Sequence, residues 1–269
     1  MKKQVVIIYR AQHFSPNSVE KDRAILDEVA TCLQPWADVY RFSEDTWDDE
    51  QLKSTPKDTV LSMARSSHVL EALSQQDSTV KIINTPQGVR HCSRMIVHQT
   101  ISRLQLPLPP SSGVDGYWLK RADISAQTVG DVQFLKNEEQ LTEAIHKLPE
   151  KGIKDFVVSA HVKGDLIKFY GVRHTPFFQY GYPTDLGQTK FGLEQYNGIA
   201  HHYAFSVDQL RSDANRLAEE LGVDVYGGDC IVREDGSYCL IDFNDWPSFS
   251  WCREEAARAI AELVKQKWT

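Results

Sequence analysis

Three oxygen-bearing side chains, Asp229, Asp242 and Asn244, and two lysines, Lys120 and Lys168, carry the chemistry that can be read from this 269-residue chain. The three oxygen donors lie within YGGDCIVREDGSYCLIDFNDWPS, Tyr226 to Ser248. Asp235-Gly236 supplies positive φ at little steric cost and β-prone residues flank it, which predicts a hairpin. A two-residue loop at 235–236 sets Asp229 opposite Asp242 and Ile231 opposite Leu240. Side chains alternate along a strand, so Asn244 joins Asp242 on one face while Phe243 points to the other. Carboxylates directly opposed on a sheet, with Cβ atoms about 5 Å apart, repel. An all-oxygen set too small to enclose an ion suits Mg2+, which keeps water and takes substrate phosphates as its remaining ligands. The hairpin is therefore read as a Mg-nucleotide platform. On this reading, removing one acid relieves repulsion and leaves the fold intact. Scattered acids also suit a solvent-facing hairpin, but Ile231, Val232, Leu240, Ile241 and the abrupt Trp246-Pro247 place these at the edge of a core.

The lysines answer to the same chemistry. Lys120 ends Tyr117-Trp118-Leu119-Lys120, a strand leading into a polar loop to Gly130 and a second strand, Val132 to Leu135. A cation leaving a strand beside a loop can meet a phosphate or simply confer solubility. The loop holds one glycine, so it does not match the phosphate cradle GxxxxGK[ST]. Lys168 sits among apolar residues in GDLIKFYGV. An ammonium there needs an anion, either a ligand phosphate or an aspartate. Arg10, His13 and Arg65 follow candidate strands, where open α/β sheets present ligand groups. His201 and His202 are neighbours on a strand, point to opposite faces and cannot chelate as a unit.

The elements that must position these residues follow from periodicity. Val5 to Tyr9, Val39-Tyr40, Val60-Leu61 and Ile82-Ile83 read as strands, and Ile25, Leu26, Val29 and Leu33 share a helical face, which predicts a small α/β layer with a parallel sheet. No GxGxxG follows its first strand. Asn84 to Gly88 breaks the pattern. One helix is expected from about Val89 to Leu104, then a stiff connector from Pro107 to Ser112. Asn137 with Gln140 and Ser206 with Gln209 form capping boxes for helices running to about Lys147 and Leu221. Phe156 to Val158 begins a strand, 176–203 reads as a strand and a long loop, and Ser250 caps a last helix.

Composition narrows the classes. A formal charge of -7 argues against a general nucleic-acid or anionic-membrane binder. No apolar run approaches the roughly 18 residues of a membrane span, and MKKQVVIIYR is too short and too quickly polar for a signal peptide. Five cysteines with no CxxC spacing fit reduced thiols and a cytoplasmic location.

The segments INTPQGVRHCSRM, LPLPPS, YWLKR, GDLIKFYGV, GGDCIV and IDFNDWPS, in this order, resemble the ATP-grasp superfamily, in particular its RimK-like and glutathione-synthetase-like enzymes. The resemblance runs from about Ile83 to the last helix. It implies an α/β (α+β) fold class: an N-terminal Rossmann-like pre-ATP-grasp domain at 1–88, and an ATP-grasp domain at 89–269 with a central lobe at about 110–160 and a C-terminal lobe at about 161–269. It implies ATP and Mg2+ or Mn2+ as cofactors, with Asp229, Asp242 and Asn244 on the metal and Arg94, Lys120 and Lys168 on the nucleotide. The chain departs from the pattern in the glycine-poor loop at 122–130, in Asp242 where many ligases have glutamate, in Arg94 where many have lysine, and in Ser159-Ala160 where a glutamine-glutamate pair often begins the adenine hinge. The implied activity is a carboxylate-amine or carboxylate-thiol ligase working through an acyl phosphate, with Lys120 and Lys168 as its catalytic charges. Two alternatives stand beside it: a kinase of the inositol phosphate kinase type, with His201 or His202 as base, and a nucleotide-binding module without turnover. The expected partners are a small-molecule or peptide carboxylate or a polyol, and a homodimer, with no nucleic acid and no membrane.

Overall fold

Apolar runs of three to five residues separated by polar helices build the first layer. The structure, a computed structural model, describes residues 2–15, 18–122, 129–185 and 196–268. The first layer comprises β1 (Lys3–Tyr9), α1 (Val19–Leu33), β2 (Ala37–Ser43), α2 (Asp49–Ser54), β3 (Thr59–Ser62), α3 (Ser67–Ser74) and β4 (Lys81–Ile83). The strands pair in the order β2-β1-β3-β4, all parallel, as the sequence predicts. Val5 to Ile8 are buried on both faces, as a central parallel strand requires.

The chain continues through α4 (Pro86–His91), α5 (Arg94–Arg103), β5 (Tyr117–Arg121), β6 (Val132–Leu135), α6 (Glu138–His146) and β7 (Phe156–Ala160). It ends with β8 (Asp165–Val172), β9 (Phe178–Gly181), α7 (Val207–Leu221), β10 (Val225–Val232), β11 (Tyr238–Asp245) and α8 (Arg253–Gln266). Two antiparallel sheets result, β6-β5-β7 and β11-β10-β8-β9. The expected capping residues serve α6 and α7: Asn137 Oδ1 accepts Gln140 N at 2.9 Å and Ser206 Oγ accepts Gln209 N at 3.2 Å. Among the described residues no helix is long and apolar enough to cross a membrane, and all five cysteines are free thiols. Most of the 122–130 loop lies outside the described residues, as does 186–195 within the long 176–203 stretch.

Three expectations are corrected. The helix expected from Val89 to Leu104 is two helices, because Ser93 is extended at ψ 141. Its first part is pinned: Thr85 Oγ1 accepts Gly88 N at 3.0 Å, and a Cβ on Gly88 would meet Gly222 O at 2.2 Å. The second part turns so that Val97 and Ile101 reach the core under α7. The last helix begins at Arg253 with Cys252, not Ser250, at its N-cap. In the hairpin, the loop is Glu234-Asp235-Gly236: Arg233 N donates to Ser237 O at 2.8 Å, and Gly236 at φ 80 closes the turn as its third residue. Ile231 therefore faces Cys239 rather than Leu240.

The two ends of the chain share one core. Ala256, Ile260 and Val264 of α8 cluster with Val5, Ile7, Ile25 and Val29 of the first layer. A buried asparagine ties the first layer to β10. Asn84 Nδ2 donates to Val225 O at 2.6 Å, and its Oδ1 accepts Asp224 N at 2.7 Å and Val225 N at 2.8 Å. A second anchor is Asp165, which accepts His201 N at 2.7 Å and Tyr203 N at 2.9 Å. Burial pushes the Asp165 carboxyl up, but these donors and the His201 ring outweigh it and hold it below its ordinary value.

Asn84→Ala leaves three backbone groups of Asp224 and Val225 without their partner, and the expected loss is about 3 kcal/mol or more in urea unfolding. A depressed native pKa stabilises the fold above the unfolded carboxylate value of about 3.9, and that contribution is lost as pH falls through the native value. The stability gap between wild type and Asp165→Asn, measured by urea unfolding, should accordingly narrow from pH 7 to pH 3.

Candidate functional site

Two antiparallel ladders place Lys168 of β8, Asp229 of β10 and Asp242 of β11 in one row across three strands. The row survives the changed hairpin turn because of a bulge. The three-residue loop shifts the register by one, and an extra residue in β11, Ile241, shifts it back between Cys230 and Asp229. Asp229 thus faces Asp242, as the sequence predicts. Ile241 has no ladder partner, and its carbonyl accepts Lys120 Nζ from β5 at 2.8 Å. The bulge thus aligns the two acids and also anchors the lysine of the facing sheet. Beside the row, a Cβ on Gly228 would meet Phe169 Cζ at 2.5 Å and Asp242 O at 2.6 Å, so only glycine lets these strands approach.

The two acids are met by cations of the protein itself. Lys168 Nζ lies 3.3 Å from Asp229 Oδ1 and 3.4 Å from Oδ2, so its anion is the aspartate. Arg94 opens α5 and donates from Nη1 to the Arg121 carbonyl, while its Nε is buried with no hydrogen-bond partner among the described residues. Burial pushes Asp229 up and Asp242 adds to this, with Lys168 offsetting part. Burial also pushes Asp242 up, but Arg94, Lys120, the Phe243 N–H and Lys168 together hold it below its ordinary value. Lys120 is lowered by burial and by Arg94, and Asp242 and Asp229 offset part of this. The expectation that removing an acid relieves repulsion is corrected here: Asp242 is attracted by three cations and repelled by one carboxylate.

These groups line a cleft of about 780 Å3. Val162, Leu166, Ile231 and Ile241, which cluster together, give it an apolar wall. Arg94, Lys120, Lys168, Asp229, Asp242 and Asn244 all line it. Arg10 and Arg65, which follow β1 and β3, also line it. His13, His201 and His202 are not in its lining; His13 packs on Phe14, and the His201 ring meets Asp165 at 3.4 Å.

Sequence reasoning missed Asp22 and Asp245. Arg10 Nη1 pairs with Asp22 Oδ2 at 2.8 Å, and Arg65 Nη2 pairs with Asp245 Oδ1 at 2.7 Å. Asp245 is only 2% exposed and also lies 3.8 Å from Arg10 Nη2. Alternation alone assigns Asp245 to the face opposite Asn244. The available signal was an acid at the abrupt strand end, with two arginines at the ends of parallel strands to match it.

Among the described residues no group of three or more His, Cys, Asp or Glu side chains is arranged for a metal. The ladder instead offers two carboxylates and one amide oxygen, a hard donor set that fits an ion completing its shell from ligand and water.

No protein-family model and no curated protein sequence matches the chain. Solved structures do. D-alanyl-alanine synthetase A from Vibrio cholerae superposes with a TM-score of 0.69 at 12% identity, covering 99% of this chain and 97% of that one. The ATP-grasp ligase PsnB, complexed with a minimal precursor, gives 0.64 at 11% identity over 99% and 100%. D-alanine–D-alanine ligase from Bacillus anthracis, complexed with ATP, gives 0.62 at 10% identity over 99% and 97%.

Because Asp242 compensates partly buried cations, Asp242→Ala is expected to cost about 2 kcal/mol in the ligand-free protein. Urea unfolding at neutral pH checks this, and an unchanged or raised stability would contradict the charge balance described.

Proposed function

The chain has the ATP-grasp fold, and on that premise we propose that its cleft binds Mg-ATP and that the protein is a carboxylate-amine or carboxylate-thiol ligase. The observation that carries this is the row Lys168, Asp229 and Asp242, met from the facing sheet by Lys120 on the bulge carbonyl. Asp229, Asp242 and Asn244 would hold Mg2+, or Mn2+ in its place. When bound, the ion supplies charge neutralisation across the phosphates during transfer. Arg94, Lys120 and Lys168 already outnumber the two carboxylates, so the site keeps positive charge for a polyphosphate.

The protein's part is positioning and electrostatics. Lys120 and Arg94 hold the phosphates from one side, and Lys168 exchanges its bond to Asp229 for a phosphate oxygen on the other. A substrate carboxylate attacks the γ-phosphorus and ADP departs, leaving an acyl phosphate. An amine or thiol then attacks the acyl carbon and phosphate leaves. Neither step needs a nucleophile from the protein. The acceptor, a small-molecule or peptide carboxylate, would be met by the Arg10 and Arg65 guanidinium groups that also line the cleft.

The ligase is preferred to a kinase on two grounds. The similar solved structures described above carry ligase or synthetase names. Among the described residues no histidine lines the cleft, so the bases considered for a kinase are not beside the transferred group.

Incubation with Mg-ATP and panels of carboxylates, amines and thiols should release phosphate only when a carboxylate and a nucleophile are both present. ADP formed with a polyol and without free phosphate would move the assignment to a kinase. Lys120→Met should lower kcat by about 100-fold or more, the usual effect of removing one charge-stabilising donor.

A further inference from the structure

Lys168 belongs to a row in which its ladder partners are Gly181 on β9 and Asp229 on β10, and of these two only Asp229 carries a side chain. Its Nζ lies 3.3 Å from Asp229 Oδ1 and 3.4 Å from Oδ2, so the ammonium straddles the carboxylate rather than binding one oxygen. An ammonium so placed covers both oxygens that a divalent ion could use. The contact is loose. Both distances exceed the roughly 2.8 Å of a close charge-assisted bond, and the 2.7 Å at which Arg65 holds Asp245. The two side chains are also partly open to the cleft, at 21% and 25% exposed, so the pair can exchange.

The second acid is engaged as well. Asp242 Oδ1 accepts Phe243 N at 3.0 Å, and Arg94 and Lys120 act on its charge. Lys168, Lys120 and Arg94 therefore stand against Asp229 and Asp242 in one cleft, three cations to two carboxylates. A bare divalent cation entering such a site meets net positive charge at short range, where repulsion is poorly screened. A polyphosphate reverses the balance. It offers Lys168 an anion of higher charge than Asp229, and the carboxylate that the ammonium gives up becomes available to an ion.

We propose that Lys168 stands in for the metal on Asp229, so that the chain holds a divalent cation only together with a polyphosphate. The inference rests on the nucleotide reading above and goes beyond it by fixing an order. Phosphate must draw the ammonium away before Asp229, with Asp242 and Asn244, can hold the ion. Coupling of this kind is reciprocal, so nucleotide and ion strengthen each other's binding by the same factor. Lys168 thereby has two partners in turn, a carboxylate in the ligand-free chain and a phosphate in the loaded one.

The test is the dissociation constant of Mn2+ alone, read by electron paramagnetic resonance without nucleotide, on wild type, Lys168→Met and Lys168→Arg. Wild type and Lys168→Arg should bind the ion weakly and alike, and Lys168→Met about tenfold or more tightly, because the competing cation is gone. Melting curves show whether each variant is folded, and Mn2+ alone should raise the transition of Lys168→Met but not that of wild type. One arm needs no variant: by calorimetry, wild type should bind ATP in excess EDTA and should not bind Mn2+ alone. Wild type that takes Mn2+ alone as tightly as Lys168→Met overturns the inference. So does wild type that binds Mn2+ alone but not metal-free ATP, which reverses the order. Failure of ATP to bind wild type with or without Mg2+ overturns the nucleotide reading itself, while the Mn2+ comparison still decides the part played by Lys168.

Discussion

Two carboxylates facing each other across antiparallel strands repel, and the centre of this molecule is arranged around that repulsion. Asp229 and Asp242 are held in one row by the ladder, and Lys168 joins the row from the next strand. Lys120 approaches from the other sheet, tethered to the Ile241 carbonyl that the bulge releases. The repulsion is thus answered by cations from both sheets, and the two acids respond oppositely, Asp229 held up and Asp242 held down. Such a site is polarised before a ligand arrives. On the proposed function, an incoming ion and polyphosphate would exchange partners with charges already in place, which lowers the reorganisation that binding demands.

The remainder of the fold keeps the two sheets and the first layer in register about this row. Asn84 stitches the end of β4 to the start of β10, α8 completes the core over the first sheet, and Asp245 pairs with Arg65 where β11 ends. The same strand, β11, therefore presents Asp242 and Asn244 to one part of the cleft and Asp245 to another. Asp242, Asn244 and Asp245 lie within four residues, so a shift of β11 moves all three together.

Much of this was readable in the sequence because it rests on local rules. Apolar runs marked the parallel strands, capping boxes marked α6 and α7, and alternation brought Asp242 and Asn244 to one face. The Asp229–Asp242 pairing was read correctly through compensating differences: a turn one residue longer than the dipeptide signal suggests, and a bulge that no residue type announces. What escaped was tertiary. The break at Ser93 is a local extended backbone that no helix-breaking residue type announces, and the partners of Arg10 and Arg65 lie far along the chain. Alternation could not find Asp245, since it speaks of faces and not of what a strand end meets.

Whether the oxygen set of the hairpin holds a metal-nucleotide is tested most directly by the melting temperature of wild type and Asp229→Ala, with ATP alone and with ATP and Mg2+. Ligand that binds only the native state must raise the transition. The account expects a Mg2+-dependent rise with ATP in wild type that is absent in the variant. No rise at millimolar nucleotide, or an equal rise in Asp229→Ala, would contradict it.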